Sequence, residues 1–356
     1  MHRLKVSRAA RVLLVAAAAA VVAVTVGAAT ASSDTAPLNP KHFFWAPGQS
    51  PSAQGTANTA ANDLIYHGGN AGSGAIGVET KPAVYLVYWG PEWQQGFQTA
   101  DTDGTLYSSK TLQNYVSSFF GSVGGSPWAG VQTQYCKDAL PGSTSCVGGA
   151  GFVTNPTHQL KGVWVDPTPV PSDIIALGLA QNLVDDPIAQ EAIRASAHFG
   201  YDAQATYIIL TPPSTIATGQ PVYCGYHTQT SSVDGVGNPY RIQYAFIPWL
   251  NENWPGLGTS GCGMHNVNAT SDSFGNGVFD GYSIVTGHEY AEAVTDPDNF
   301  ATVQDGWNDA QGNENGDKCA WTNTQNITLG GHAFAVQPLW SNEAYDATGN
   351  GCVVSR

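Results

Sequence analysis

The segment Thr286-Gly287-His288-Glu289-Tyr290-Ala291-Glu292-Ala293 decides the predicted fold. Written as a helix, it places His288 and Glu292 four residues apart on one face, where both side chains can bind one metal ion. Glu289 lies beside them and can take a proton from water. The pattern is a variant of H-E-x-x-H in which glutamate replaces the second histidine, so it predicts a metal-dependent hydrolase.

A third metal ligand must come from elsewhere, because catalytic zinc sites take three protein ligands and keep one position open. Glu314 is the first candidate, since its separation from the helix resembles that of the third ligand in thermolysin-type zincins. Asp317 is the second candidate, and Asp296 or Asp298, just after the helix, is the third. One imidazole with two or three carboxylates suits Zn²⁺ and also admits Mn²⁺ or Ca²⁺.

The residues around His288 are largely apolar and include Tyr282, Ile284, Val285 and Tyr290. We therefore expect the helix to be buried, and buried carboxylates need a partner such as a cation. The competing interpretation is a core histidine next to glutamates on a solvated face.

The chain begins with the features of an export signal. A basic start is followed by an apolar run from Val12 to about Val26 and by small residues before Ser32. This pattern predicts a signal peptide over residues 1–31 and a secreted, extracellular protein without a membrane segment after cleavage. The formal net charge is −14, and the signal contains only basic charges, so the mature chain is more acidic still. Nucleic acid and anionic membranes are therefore excluded as expected partners.

Composition divides the rest of the chain into a disordered leader or pro-segment, residues 32–65, and one domain, residues 66–356. Strands are predicted over Ala83–Trp89, Leu160–Val165, Ala205–Leu210 and Arg241–Ile247 and near Phe334–Val336; helices are predicted over Thr111–Phe120, from Ser172-Asp173 to about Leu183, and from Asp186-Pro187 to Phe199. The fold class expected is α+β, a zincin-like mixed sheet with an active-site helix and long loops, as a monomer.

All six cysteines follow the signal, and an even number in an oxidising compartment predicts disulfides. We expect sequential pairing: Cys136–Cys146, Cys224–Cys262 and Cys319–Cys352.

Weaker candidates lie outside the helix. His227 and His265 each follow a cysteine by three residues, and pairing of those cysteines would bring both histidines together to polarise a substrate carbonyl. The alternative interpretation is that both are ordinary histidines in loops. The abundant tryptophans are expected to be core residues, although some can form a sugar-stacking surface. No G-x-S-x-G motif supports a serine hydrolase.

The chain resembles the plant Exordium-like, or phosphate-induced, secreted proteins from about Tyr66 to the C-terminus. The segments that carry the resemblance, in order, are Tyr66–Gly69, Val84–Gly90, Tyr223–His227, Gly287–Glu292, Glu314–Cys319 and Val336–Asn342. The resemblance implies a secreted, wall-associated protein with a zincin-like helix, and it implies that Glu314 and Asp317 belong to the site.

These observations predict a secreted zinc metallopeptidase with a peptide or protein substrate. His288, Glu292 and Glu314 (or Asp317) would bind the metal, and Glu289 would be the general base. The alternative is a non-catalytic, metal-stabilised protein that binds cell-wall polysaccharide or a surface partner. A cysteine or serine hydrolase is a third hypothesis.

Overall fold

The computed structural model describes residues 41–49, 63–69, 74–179, 186–213, 222–234, 236–250, 261–298 and 304–356. The expected signal peptide lies outside the described residues, as do residues 32–40 and 50–62 of the expected leader.

Helices and strands alternate irregularly along the chain. The strands are β1 (His42–Trp45), β2 (Ile65–Gly68), β3 (Ala83–Trp89), β4 (Gln98–Ala100), β5 (Leu106–Ser108), β6 (Leu160–Asp166), β7 (Ala205–Leu210), β8 (Tyr223–Val233), β9 (Pro239–Ile247), β10 (Gly306–Asn308), β11 (Gln325–Leu329), β12 (His332–Val336), β13 (Leu339–Trp340) and β14 (Cys352–Val353). The α-helices are α1 (Pro91–Gln95), α2 (Ser109–Val123), α3 (Pro127–Gly130), α4 (Ile174–Leu179), α5 (Pro187–Phe199), α6 (Asp280–Thr295) and α7 (Asn342–Thr348). Short 3₁₀ helices cover Val131–Gln134 and Asp317–Cys319.

A mixed six-stranded sheet forms the centre of the fold, in the order β1-β8-β9-β7-β3-β6. The four consecutive strands β9-β7-β3-β6 run parallel to one another. Strand β8 is antiparallel to both of its neighbours, β9 and β1. Parallel strands need crossover connections, and α2 supplies one between β3 and β6. The antiparallel pair at one edge brings two strands that the hydrophobic pattern did not single out, β1 and β8, next to each other.

Most sequence-based predictions of secondary structure are confirmed. Strands β3 and β7 have the predicted bounds, because each is a continuous apolar run that is buried on both faces of the sheet. Helix α5 begins after Asp186, whose carboxylate accepts a hydrogen bond from the Ile188 amide as an N-cap. The α+β class and the mixed sheet are confirmed. Within the part of the chain that the structure describes, no helix has the length and apolar character needed to span a bilayer.

Helix α6 is buried along its whole length. It packs against β7, β8 and β9 on the central sheet and against β12 of the β11–β12 hairpin. The burial predicted for His288 is therefore confirmed. The helix begins after Phe279 without a side-chain cap, and the Asp280 carboxylate accepts hydrogen bonds from the amides of Val267 and Asn268.

The three predicted disulfides are confirmed. Cys224–Cys262 joins the start of β8 to the segment that precedes α6. Cys319–Cys352 joins the 3₁₀ helix Asp317–Cys319 to β14. Two of the cross-links therefore fix segments that lie next to the predicted site.

The interval expected to be a disordered leader contains strand β1, so disorder does not hold for residues 41–49. Its sequence His42-Phe43-Phe44-Trp45 is aromatic, which favours an extended strand, and Phe44 is buried against the core. Lys41, just before β1, forms a buried ion pair with Asp186 at 2.5 Å.

This ion pair provides a test of how firmly β1 is held. We expect Asp186→Asn, which keeps an oxygen for the helix cap, to lower the free energy of unfolding by about 3–5 kcal/mol, because the buried Lys41 ammonium loses its counter-charge. Denaturant unfolding measures the change. Adding Lys41→Met in the same chain should recover part of the loss. A change below about 1 kcal/mol, the value of an exposed ion pair, would contradict the burial of Lys41.

Candidate metal centre

Seven titratable side chains converge at the edge of the central sheet next to α6. Three histidines and four carboxylates form three overlapping groups, and within each group the ligand atoms lie within 4.8 Å of one another. The groups are His288 with Glu292 and Asp317, His42 with Glu292 and Glu314, and His227 with Glu289 and Glu292. Glu292 is common to all three.

Helix α6 positions the pair that the sequence predicted. His288 Nε2 lies 3.0 Å from Glu292 Oε1, one helical turn along the same face. The Asp317 amide donates a hydrogen bond of 2.8 Å to the same Glu292 oxygen, and Asp317 Oδ1 lies 3.8 Å from His288 Nε2. The two leading candidates for the third ligand join different groups: Asp317 lies with His288 and Glu292, whereas Glu314 lies with His42 and Glu292.

The remaining candidates for the third ligand have other partners. Asp298 Oδ2 accepts hydrogen bonds from the amides of Ile76 and Gly77, at 2.7 and 3.2 Å. Asp296 Oδ2 accepts a hydrogen bond of 2.8 Å from Asn308 Nδ2. Asp298 thus anchors the segment before β3 and Asp296 contacts β10, and neither joins a candidate metal-binding group among the described residues.

Two histidines complete the cluster from the neighbouring strands. His42 on β1 and His227 on β8 are directly paired across the antiparallel ladder, so their side chains leave the same face of the sheet. His42 Nδ1 lies 2.7 Å from Glu314 Oε2, and His227 Nε2 lies 3.5 Å from the same oxygen. Sequence reasoning gave His42 no role and made His227 a weak candidate. The sequence feature that could have indicated His42 is its alternation with Phe44 in an aromatic run.

His265 does not join the cluster. Its Nε2 lies 2.6 Å from Asp101 Oδ1 and its Nδ1 lies 2.9 Å from the Asn268 carbonyl oxygen. The Cys224–Cys262 bond forms as predicted, but His265 is engaged by Asp101 rather than directed towards His227.

Glu289 has the environment expected of a base. Its Oε2 lies 3.2 Å from His227 Nδ1, and its Oε1 is buried without a hydrogen-bond partner among the described residues. Burial raises the pKa of Glu289 to about 7, and the hydrogen bond with His227 opposes part of this rise. A carboxylate with a pKa near neutrality can take and release a proton under ordinary conditions.

Burial and neighbouring charges together set the pKa values of the other side chains. Burial alone lowers the pKa of His288, but Glu292 outweighs it and the pKa rises to about 9. Burial, reinforced by Glu292, raises the pKa of Asp317 to about 8. Burial opposes ionisation of Glu314, yet His42 and His227 hold its pKa below the usual range. The carboxylates of this cluster therefore depend on neighbouring cations for their charge.

Several close pairs in the cluster are not hydrogen-bonded. Both ring nitrogens of His288, Nε2 of His227 and both carboxylate oxygens of Glu314 are buried and have no hydrogen-bond partner among the described residues. Ligand atoms around a tetrahedral zinc lie roughly 3.4 Å apart when the bonds are about 2.1 Å. The separations of 2.7–3.8 Å between the imidazole nitrogens and the carboxylate oxygens match that spacing. The residues present therefore fit a divalent metal ion.

An aromatic stack fixes the His288 ring. The ring of Phe44 lies parallel to it with the centroids 3.8 Å apart, and Trp321 stacks on Phe44 at 4.5 Å. The stack restricts rotation of the imidazole and keeps water from one of its faces. Strand β1 thus contributes both a polar side chain and an apolar wall to the site.

Gly225 on β8 lets α6 approach the sheet closely. A Cβ atom at this position would lie 2.8 Å from Glu289 Oε1 and 2.9 Å from Val285 Cγ1. We expect Gly225→Ala to lower the free energy of unfolding by about 1–3 kcal/mol, the usual cost of overpacking. Denaturant unfolding measures it, and Gly121→Ala is the matched control, because a Cβ at Gly121 in α2 meets open space. Equal stability of Gly225→Ala and the wild type would contradict the close approach.

Comparison of the chain with protein-family models, with curated proteins and with solved structures gives no match. The resemblance to the Exordium-like proteins therefore stays a prediction.

Proposed function

We propose that this protein is a secreted metal-dependent hydrolase that cleaves peptide bonds. The observation that carries the proposal is the convergence, beside the carboxylate of Glu289, of buried imidazole and carboxylate groups, several of whose atoms have no hydrogen-bond partner among the described residues. Zinc is the favoured ion, because imidazole and carboxylate ligands suit it; Mn²⁺ is compatible, and Ca²⁺ is disfavoured by the three histidines.

His288, Glu292 and Asp317 would hold the ion. When bound, a divalent cation supplies Lewis acidity that polarises a substrate carbonyl and acidifies water. Glu289 takes the proton from the attacking water and delivers it to the leaving amine. His227 orients Glu289 through the contact with Oε2. His42 and Asp317 have side chains that are 17% exposed, so substrate approaches from their side.

The architecture supports the same proposal. A helix that carries the H-E-x-x-E motif packs against a mixed sheet with an antiparallel edge, which is the arrangement expected of a zincin-like protein. Three disulfides are typical of proteins from oxidising compartments and support export through a signal over residues 1–31.

The test uses the purified mature protein and a library of quenched fluorescent peptides. We expect cleavage that phenanthroline abolishes, that its non-chelating isomer leaves unchanged, and that added Zn²⁺ restores. Cleavage that survives complete removal of the metal would overturn the proposal, and so would the absence of cleavage by zinc-loaded protein.

The burial of the site favours one second candidate, a structural metal in an extracellular binding protein. His227, His288 and Glu292 are each about 1% exposed, and structural zinc sites are closed in this way. For this candidate, chelation lowers the melting temperature and no peptide is cleaved. Sugar stacking gains little support, because none of the tryptophans that the structure describes is exposed.

A further inference from the structure

The cluster contains more ligands than one catalytic ion uses. A zinc ion in an enzyme takes three protein ligands, whereas three histidines and four carboxylates converge here. The surplus is not peripheral, because His227 and Glu314 are as deeply buried as His288.

The ligand atoms form two groups that share Glu292. In the first group, His288 Nε2 lies 3.0 Å from Glu292 Oε1. In the second group, the ligand atoms of His42, Glu292 and Glu314 lie within 4.8 Å of one another. The Glu292 carboxylate therefore belongs to both groups of candidate ligands, as a carboxylate that bridges two ions does.

Asp317 spans the same two groups. Its Oδ1 lies 3.8 Å from His288 Nε2, and its Oδ2 lies 3.6 Å from His42 Nδ1. The carboxylates of Glu292 and Asp317 therefore each lie next to both groups.

Charge and hydrogen bonding agree with this division. The three carboxylates assigned as ligands, Glu292, Glu314 and Asp317, carry three negative charges when ionised, which is more than one divalent cation balances, and uncompensated buried charge is costly. His227 has the arrangement of a ligand held by a carboxylate: Nδ1 contacts Glu289 at 3.2 Å, while Nε2 faces Glu314 without a hydrogen-bond partner among the described residues.

We propose that the site binds two divalent cations that share Glu292 and Asp317. The first cation is the one assigned to His288 above, and the second is held by His42, His227 and Glu314. The proposal rests on the proposed metal site and makes it a paired-metal hydrolase, in which two ions a few ångströms apart act on the attacking and leaving groups. It also makes β1, a strand from the segment expected to be a leader, an essential part of the site.

The test is titration of metal-free protein with Co²⁺, followed by visible absorption and electron paramagnetic resonance. We expect two equivalents to bind, with a resonance signal weaker than that of two isolated ions, because ions that share carboxylates are magnetically coupled. His42→Ala and the more conservative His42→Gln should each bind one equivalent with a full, uncoupled signal. His158→Ala is the matched control, since His158 is exposed and lies outside the cluster.

The outcomes separate this proposal from the proposed function. One equivalent in the wild type, lost in His288→Ala, would overturn the second site and leave the single-metal hydrolase intact. Two equivalents without magnetic coupling would also overturn the shared centre. No bound metal would overturn both proposals.

Discussion

Replacing Glu292 with glutamine will strip metal from the purified protein. Glu292 belongs to every group of the described residues that could hold a metal ion, and its two oxygens face His288 and His227. Glutamine keeps the shape of the side chain but removes the negative charge that attracts the ion. We expect metal affinity to fall by roughly 100-fold or more, since residues that only orient a ligand are already worth about 10–100-fold. Competition with a chromophoric chelator measures the change.

A matched control comes from the surface of the same protein. Glu343 forms an ion pair with Arg356, and its side chain is 58% exposed, so Glu343→Gln changes the same chemical group away from the cluster. We expect this variant to bind metal like the wild type. Far-UV circular dichroism shows whether Glu292→Gln is folded. A folded Glu292→Gln protein with unchanged affinity would contradict the assignment of the site.

Replacing Glu289 with glutamine should separate metal binding from catalysis. The Glu289 carboxylate lies beside the ligands with one oxygen unpaired among the described residues, and its raised pKa suits proton transfer. Glutamine cannot accept the proton, so we expect the rate of peptide cleavage to fall by about 10²–10⁴-fold. Metal content should stay at the wild-type level, because the ions are assigned to other side chains.

Elemental analysis and the peptide assay on the same preparation decide between the outcomes. Full cleavage by Glu289→Gln would contradict the role of Glu289 as base. Simultaneous loss of metal and cleavage would make Glu289 a ligand instead. Glu92→Gln, an exposed carboxylate of α1, serves as the control for handling and folding.

The sequence predicted the parts of this site that depend on local spacing. His288 and Glu292 meet because they are four residues apart on one helix, and a helical period is visible in the sequence. Strands β3 and β7 were predicted because apolar runs buried on both faces need no knowledge of their partners. The disulfides followed from an even cysteine count and the simplest pairing.

Contacts between distant segments could not be predicted in the same way. His42 reaches the site only because β1 pairs with β8, a contact between residues far apart in the chain. Asp317 rather than Glu314 lies next to His288, because the 3₁₀ helix Asp317–Cys319 begins with an amide that donates a hydrogen bond to Glu292. Neither fact follows from residue spacing, because each depends on how the loops return to the sheet.

The most direct test of the metal centre is X-ray diffraction from crystals grown with zinc, with anomalous data collected on both sides of the zinc absorption edge. We predict anomalous density between His288 Nε2, Glu292 and Asp317. Electron density that shows these side chains in direct hydrogen bonds to one another, with no anomalous peak in the cluster, would contradict the account.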